Sequence, residues 1–234
     1  MMDAMKQTLL AELPALGLTL EEETADKLCA FGAAVVEQNA VMNLTAITEP
    51  TAVAKLHLLD SLTVLTVADL KGKTLIAVGC GAGFPGVPVA IAAKDAKVTL
   101  LDSLGKRMTW LETILPQLDV KARCITARAE EAVADHREKF DYATSRAVAR
   151  LNILLELTAP YVRVGGAVIA LKGSAARQEL EEARNAVKKL GLQVEEIKDF
   201  TIDGATHSVI VLRKVAHTPP QFPRRYAKIK QSPL

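Results

Sequence analysis

Apolar positions recur at helical spacing through the first seventy residues and at strand spacing afterwards. Leu9, Leu10, Leu13 and Leu16 form one stripe, and Leu28, Phe31, Val35 and Val36 form another, as expected of helices that bury a single face. From residue 74 the period shortens. Strand-like runs fall at 74–79, 97–102, 120–126, 140–145 and 166–172, each followed by a helix-compatible segment such as 105–117 or 175–190. Two further runs, 193–200 and 208–213, read as a closing hairpin. Alternating β and α segments predict an α/β, Rossmann-like sheet, mostly parallel, with one antiparallel edge strand and an N-terminal helical extension. The chain divides into the extension (1–70), a core (71–214) and a C-terminal arm (215–234). No internal repeat or low-complexity linker separates them.

A chain of 234 residues, half of them hydrophobic, is large enough to bury a full core. Charged or polar residues interrupt every apolar run before it reaches membrane-spanning length. Asp3 and Lys6 stand where a secretion signal would need an apolar stretch. The three cysteines, Cys29, Cys80 and Cys124, are odd in number and lack metal-ligand spacing, and His136, His207 and His217 are scattered, so no metal site is expected. This cysteine usage fits a reducing cytoplasm. A net charge of +2 conceals an asymmetry: the first 203 residues carry 23 basic and 27 acidic side chains, whereas the remainder holds six Lys or Arg and no acid. With Pro219, Pro220, Pro223 and Pro233 restricting it and Phe222 and Tyr226 interleaved, the tail reads as a semi-extended arm for a phosphate backbone.

The chemistry gathers at the first strand end. Leu75 to Val78 run into Gly79-Cys80-Gly81-Ala82-Gly83-Phe84-Pro85-Gly86, with Asp102 about twenty positions on. Glycines bring bare amides against a ligand, and an acid at the next strand tip accepts from ribose hydroxyls. Two spacings overlap here. Gly81-x-Gly83-x-x-Gly86 fits a dinucleotide fingerprint, and Gly79-x-Gly81-x-Gly83 fits the loop of S-adenosylmethionine (AdoMet) enzymes. The second is favoured because Pro85 has no amide to offer a pyrophosphate. In such sheets ligands lie beyond the carboxyl ends of the strands. This singles out Asp102 and Ser103, Ala129 and Glu130, Ser145 and Arg146, and Lys172 at successive ends, with Phe84 beside the cofactor. His57 and Asp60 share a helix face. They either serve the cleft or hold the extension to the core.

Asn43-Leu44-Thr45-Ala46, His57-x-x-Asp60-Ser61-Leu62, Gly81 to Gly86, Leu101 to Arg107, Arg128-Ala129-Glu130, Ser145 to Ala149, Leu171-Lys172-Gly173 and Pro223-Arg224-Arg225 together resemble the bacterial ribosomal RNA small subunit methyltransferase G family, also called glucose-inhibited division protein B. The resemblance covers nearly the whole chain. It implies a class I AdoMet-dependent methyltransferase fold and formation of 7-methylguanosine in 16S rRNA, at guanine 527 of the 530 loop. It also implies cofactor contacts from Gly79, Phe84, Ala129, Glu130 and Arg146, with Asp102 and Ser103 nearby. The family usually has Asp where this chain has Ala77, and Ser or Thr where it has Cys80.

Residue chemistry permits that product independently. Guanine N7 offers an in-plane lone pair, so methyl transfer needs alignment and no prior proton removal. The Asn/Asp-Pro-Pro-aromatic loop of exocyclic amine methylation and the prolyl-cysteine of pyrimidine C5 methylation are both missing. The expected site therefore has Gly79, Gly81, Gly83, Phe84, Asp102, Ser103, Ala129, Glu130 and Arg146 on the cofactor, and Ser145 with Arg146 at the reacting centre. Lys106, Arg107, Arg128, Lys172, Arg224, Arg225, Lys228 and Lys230 are expected on RNA. The expected partner is 16S rRNA or a small-subunit assembly intermediate, approached by a monomer. A nicotinamide-dependent oxidoreductase and a non-catalytic rRNA-binding assembly protein remain as alternative readings.

Overall fold

The computed structural model describes residues 1–234. The N-terminal extension comprises α1 (Met2–Glu12), α2 (Glu22–Met42), α3 (Pro50–Val53), a π-helical stretch (Ala54–Leu59) and α4 (Asp60–Leu62). Then β1 (Thr74–Val78), α5 (Gly86–Ala92), β2 (Lys97–Asp102), α6 (Gly105–Gln117), β3 (Ala122–Thr126), α7 (Ala129–His136), β4 (Phe140–Arg146), α8 (Leu151–Thr158) and β5 (Val162–Lys172) alternate as the sequence pattern predicts. They are followed by α9 (Ala176–Glu182), α10 (Arg184–Lys189), β6 (Leu192–Ile202), β7 (Ala205–Lys214) and α11 (Tyr226–Gln231). The helix expected over 175–190 is divided at Ala183, which has φ −88° and ψ 2°.

The seven strands are ordered β3-β2-β1-β4-β5-β7-β6. Pairing is parallel from β3 through β5, and β7 runs antiparallel to both β5 and β6. The antiparallel edge is therefore a hairpin whose second strand inserts beside β5 and leaves β6 outermost. The reversal of strand order between β1 and β4 opens a crevice at their carboxyl ends, which is where ligands bind in open α/β sheets.

Alternation of side chains across the sheet produces two cores. Leu75, Ala77, Val98 and Leu100 face one core, which is completed by α2, α5, α6 and the N-terminal extension. Ile76, Val78, Leu101, Val168 and Ile210 face the other, under α7, α8 and α10. Leu9, Leu13 and Leu16 are buried as their stripe predicts, but Leu10 is 40% exposed. It falls on the outer side of α1, because four closely spaced leucines exceed the width of one buried stripe.

Residues 215–234 do not project as an arm. They fold back over the second face, with Phe222 at 7% and Ile229 at 0% exposure. The Lys214 ammonium at the end of β7 is fully buried and donates to Ala159 O (2.7 Å) and to Thr218 Oγ1. Burial holds it down to about 8, against the opposing pull of Glu138. Glu138 also accepts from the Thr218 amide at 2.9 Å, and Arg137 donates to Phe222 O. No helix is long and apolar enough to cross a membrane.

Candidate cofactor and substrate hollows

A hollow of about 380 Å³ lies at the carboxyl ends of β1, β2, β3 and β4. Its floor is the loop after β1. Gly79, with φ 66°, is needed for space as well as conformation, since a Cβ there would lie 2.5 Å from Val148 Cγ2. The Gly79 and Cys80 amides donate to Leu101 O at 2.8 and 3.1 Å, tying the loop to β2. A larger hollow of about 940 Å³ sits between residues 19–24, 65–71 and 92–96. That is the opposite end of β1, away from the glycine loop.

Asp102 closes one wall. Its Oδ2 accepts from the Gly81 amide at 2.8 Å and its Oδ1 from Leu104 N at 2.9 Å. A carboxylate has about four lone-pair sites, so each oxygen keeps acceptor capacity while its direction is fixed by backbone. Ser103, Arg128, Ala129, Glu130 and Leu157 complete the far side. Tyr161 Oη donates to Ala129 O at 2.6 Å, which pins the start of α7. Three lining residues were unexpected. Arg107 and Arg128, both assigned by sequence to RNA, border this hollow, Arg107 above Gly81, and Tyr226 reaches it from the C-terminal segment. Arg107 sits in the first turn of α6, directly after the loop that follows Asp102, a position that could have signalled its place. The chain offers no local signal for Tyr226, because only the folding back of the tail brings it there.

Other expected contacts are moved into the core. A Cβ on Gly83 would meet Val87 at 2.7 Å and both Leu111 and Phe31 at 3.0 Å, and one on Gly86 would meet Leu100 at 2.4 Å. These glycines are required for packing. The position that a dinucleotide fingerprint reserves for close pyrophosphate approach is therefore occupied by side chains. Phe84 is 6% exposed and sits under the extension, 5.3 Å from the Phe31 ring and 4.7 Å from the His57 ring. Ser145 is also buried, its hydroxyl donated to Val78 O at 2.8 Å, so it is committed to the β1–β4 junction. Cys80 is buried beside Met108, and burial, with Asp102 nearby, pushes its thiol well above the usual range.

Ala77 does not line the hollow; it is fully buried on the α5 side. Its register partner Thr144 is likewise fully buried and its hydroxyl has no hydrogen-bond partner. A carboxylate at 77 would stand beside that orphan hydroxyl, so the alanine leaves its mark on packing between β1 and β4.

Arg146 forms a hub between core and extension. Its Nη1 donates to Asp60 Oδ2 (2.7 Å) and Leu56 O (2.8 Å), and its Nη2 lies 3.1 Å from His57 Nδ1. A guanidinium only donates, so Nδ1 accepts and Nε2–H donates to Thr45 Oγ1, 2.7 Å away. Burial, reinforced by Arg146, lowers His57 to about 4, consistent with this neutral tautomer. Burial opposes ionisation of Asp60, but the His207 hydrogen bond at 2.8 Å and Arg146 outweigh it and hold the carboxyl low. The π-helical turn re-aims this short segment so that His57 and Asp60 flank one guanidinium. Through Arg146 they tie the extension to the core, and both also line the adjoining hollow.

The hub borders a second hollow of about 580 Å³, reached by Ile47, His207, Lys172 and Glu179. Ala147 and Val148 line both hollows and form the wall between them, with Ala147 in the left-handed region at φ 56°. Lys172 is not free for RNA. It donates to Ala149 O at 2.6 Å, pairs with Glu179 at 2.8 Å, and its side chain is 8% exposed. Arg224 is likewise committed, to the fully buried Glu156. Lys106, Arg128, Arg225, Lys228 and Lys230 remain exposed.

Residues 24–209 match the family profile described as rRNA small subunit methyltransferase G. The chain belongs to that family. It is 41% identical over 224 residues to the Ribosomal RNA small subunit methyltransferase G of Clostridium beijerinckii, covering 93% of this chain and 94% of that one. The Acetivibrio thermocellus protein of the same name is 40% identical over 223 residues, with 93% and 92% covered. Among solved structures, a putative methyltransferase of Bacillus halodurans superposes with a TM-score of 0.54 at 13% identity, covering 67% of this chain and 99% of that one. An M. jannaschii protein in complex with AdoMet gives 0.56 at 12% identity, with 68% and 76% covered. These two establish the fold as that of class I methyltransferases. As a member of the family, the chain is a small-subunit rRNA methyltransferase.

Proposed function

We propose that the chain transfers the methyl group of AdoMet to N7 of guanine 527 in 16S rRNA. The observation that carries this reading is the hollow beside β1 and β2, where Gly79, Gly81 and a backbone-oriented Asp102 converge in a chain of this family. AdoMet is the cofactor and supplies an electrophilic methyl group. Asp102 accepts from its ribose hydroxyls, Ser103 with Ala129 and Glu130 borders its base, and the Gly79 cradle under Val148 takes the methionine half.

Guanine N7 attacks through an in-plane lone pair, so the protein's task is to align the two reactants. The second hollow shares the Ala147–Val148 wall with the first and is the approach for the base. Arg146 keeps that wall in place by bonding β4 to the extension. It is a positioning residue, and no side chain is needed to remove a proton. Lys106, Arg128, Arg225, Lys228 and Lys230 supply phosphate contacts around the rim.

Transfer of labelled methyl from AdoMet to 16S rRNA, offered naked and as a partly assembled small subunit, followed by mapping of the modified nucleotide, tests the reading. Label on another base or another atom would overturn it. Asp102→Ala should weaken AdoMet binding by roughly 1.5–3 kcal/mol for each ribose hydrogen bond removed, with RNA binding retained. An unchanged AdoMet affinity would remove Asp102 from the site.

A further inference from the structure

Tyr226 lines the cofactor hollow although it lies beyond the last strand, outside every segment that builds the sheet. It is the first residue of α11, and its surroundings fix where that short helix sits. Two residues earlier, Arg224 is bound by the Glu156 carboxylate of α8: the backbone amide and Nε both reach Oε1 at 2.8 Å, and Nη2 reaches Oε2 at 2.6 Å. Glu156 is fully buried. Three residues later, Ile229 is also fully buried. The tyrosine is thus held from both sides, with its ring half-buried at the hollow.

The direction of approach indicates which half of the ligand it meets. The methionine half lies at Gly79 under Val148. The adenosine half lies toward Asp102, Ala129 and Glu130, at the start of α7. Helix α8 packs against both α7 and α11, and its Leu157, next to Glu156, lines the same hollow. Through α8 the α11 side of the hollow adjoins the α7 side, and an aromatic ring placed there is available to stack on a purine.

We propose that Tyr226 is a cofactor-contacting residue that closes the adenosine half of the hollow, and that the Glu156–Arg224 pair is what positions it. This rests on the reading of the hollow as the AdoMet site. It gives the C-terminal segment a place in the cofactor site, distinct from the RNA-binding arm that its sequence suggests.

Calorimetric titration of the full chain with S-adenosylhomocysteine and with adenosine tests the proposal. Tyr226→Ala should weaken both ligands by about tenfold, a typical consequence of losing an aromatic partner to a base. Tyr226→Phe should stay within about twofold of the wild type, because the ring face makes the contact. Arg224→Met should weaken S-adenosylhomocysteine by about threefold, and the double variant should bind no worse than Tyr226→Ala, since both changes act through one ring. In methyl transfer, Tyr226→Ala should raise the KM for AdoMet and leave kcat near the wild-type value. Wild-type affinity for S-adenosylhomocysteine in Tyr226→Ala would overturn the proposal and leave the reading of the hollow intact. Failure of the wild-type protein to bind S-adenosylhomocysteine would overturn that reading and the proposal with it. Additive losses in the double variant would overturn the positioning role of Arg224 alone.

Discussion

Residues 1–70 and residues 215–234 both reach the carboxyl rim of the sheet, one from each face, and they are held by different physics. The extension buries Met5, Leu9, Leu13, Leu28, Phe31 and Val35, all at 2% exposure or less. At about 1.5–3 kcal/mol for each large apolar side chain, such burial rivals the stability of a whole domain. The extension therefore opens only when the molecule does. The C-terminal segment buries two large apolar side chains, Phe222 and Ile229, while ordering twenty residues costs about 1–2 kcal/mol for each backbone. Its attachment depends on discrete polar anchors at Glu138, Arg137 and Glu156. A segment held in this way opens locally before the core does. One terminal segment walls the 580 Å³ hollow through His57 and Asp60, and the other borders the 380 Å³ hollow through Tyr226.

The largest test of this contrast is Arg146→Met. It leaves the buried Asp60 carboxylate with His207 alone, and removing one partner of a buried pair costs about 3–5 kcal/mol. Urea unfolding should show this loss in a single transition, because the extension and core separate together. A separate early transition confined to the extension would break the comparison.

Acid should act next most strongly, and on the same wall. His57 sits at about 4 in the folded protein, below its ordinary 6.5, so the unfolded chain binds the extra proton between those values. The His57 contribution is full above about pH 6.5 and falls as pH drops toward 4, by up to about 3 kcal/mol at 1.36 kcal/mol for each pH unit. Asp60, held low, adds its own loss only at still lower pH. His57→Gln should flatten the decline in urea midpoint between pH 6.5 and 4. An equally steep decline in that variant would assign it to other groups.

A smaller change is expected where the two strands meet. Thr144→Val replaces an orphan buried hydroxyl with a methyl of similar shape and should leave stability unchanged or raise it by about 1 kcal/mol. A clear loss would show that the hydroxyl has a partner. The smallest effect belongs to the strap. Arg225, Lys228 and Lys230 are exposed, whereas Arg224 is not free. Changing the three to Gln should lower the salt slope of RNA binding by about 0.7 for each phosphate no longer neutralised, and Arg224→Met should leave that slope unchanged. A slope change in Arg224→Met would return Arg224 to the RNA surface.

The sheet and the glycine loop that floors the 380 Å³ hollow were legible because their signals are local. Strand periodicity, the glycine spacing and Asp102 lie within about thirty residues of one another, and the segment predicted over 105–117 coincides with α6. The pairs that hold Arg146 and Arg224 depend on partners far along the chain. Arg146 pairs with Asp60 at a separation of 86 residues, and Arg224 pairs with Glu156 at a separation of 68. An arginine after a strand looks the same in sequence whether it meets a ligand or a buried acid. The glycines carried a subtler ambiguity. Gly79 and Gly83 both give way to packed side chains, Val148 and Val87, whereas a Cβ on Gly81 would meet only Arg107 at 3.6 Å, and composition does not distinguish these uses of a missing Cβ.

The strand order bears on how the protein behaves in a crowded solution. Every open sheet has two rims of unpaired backbone that invite aggregation. Here one rim is β3, only five residues long and bearing Arg123. The other is β6, where the pairing slips between Val194 and Glu196 and where Glu195, Glu196, Lys198 and Asp199 crowd the strand. Shortness guards one side, and a bulge with dense charge guards the other. Because β7 turned back inside β6, the 167–171 stretch of β5 is paired on both sides and presents no such rim. The hairpin that appears as a mere closing flourish of the chain thus protects its solubility.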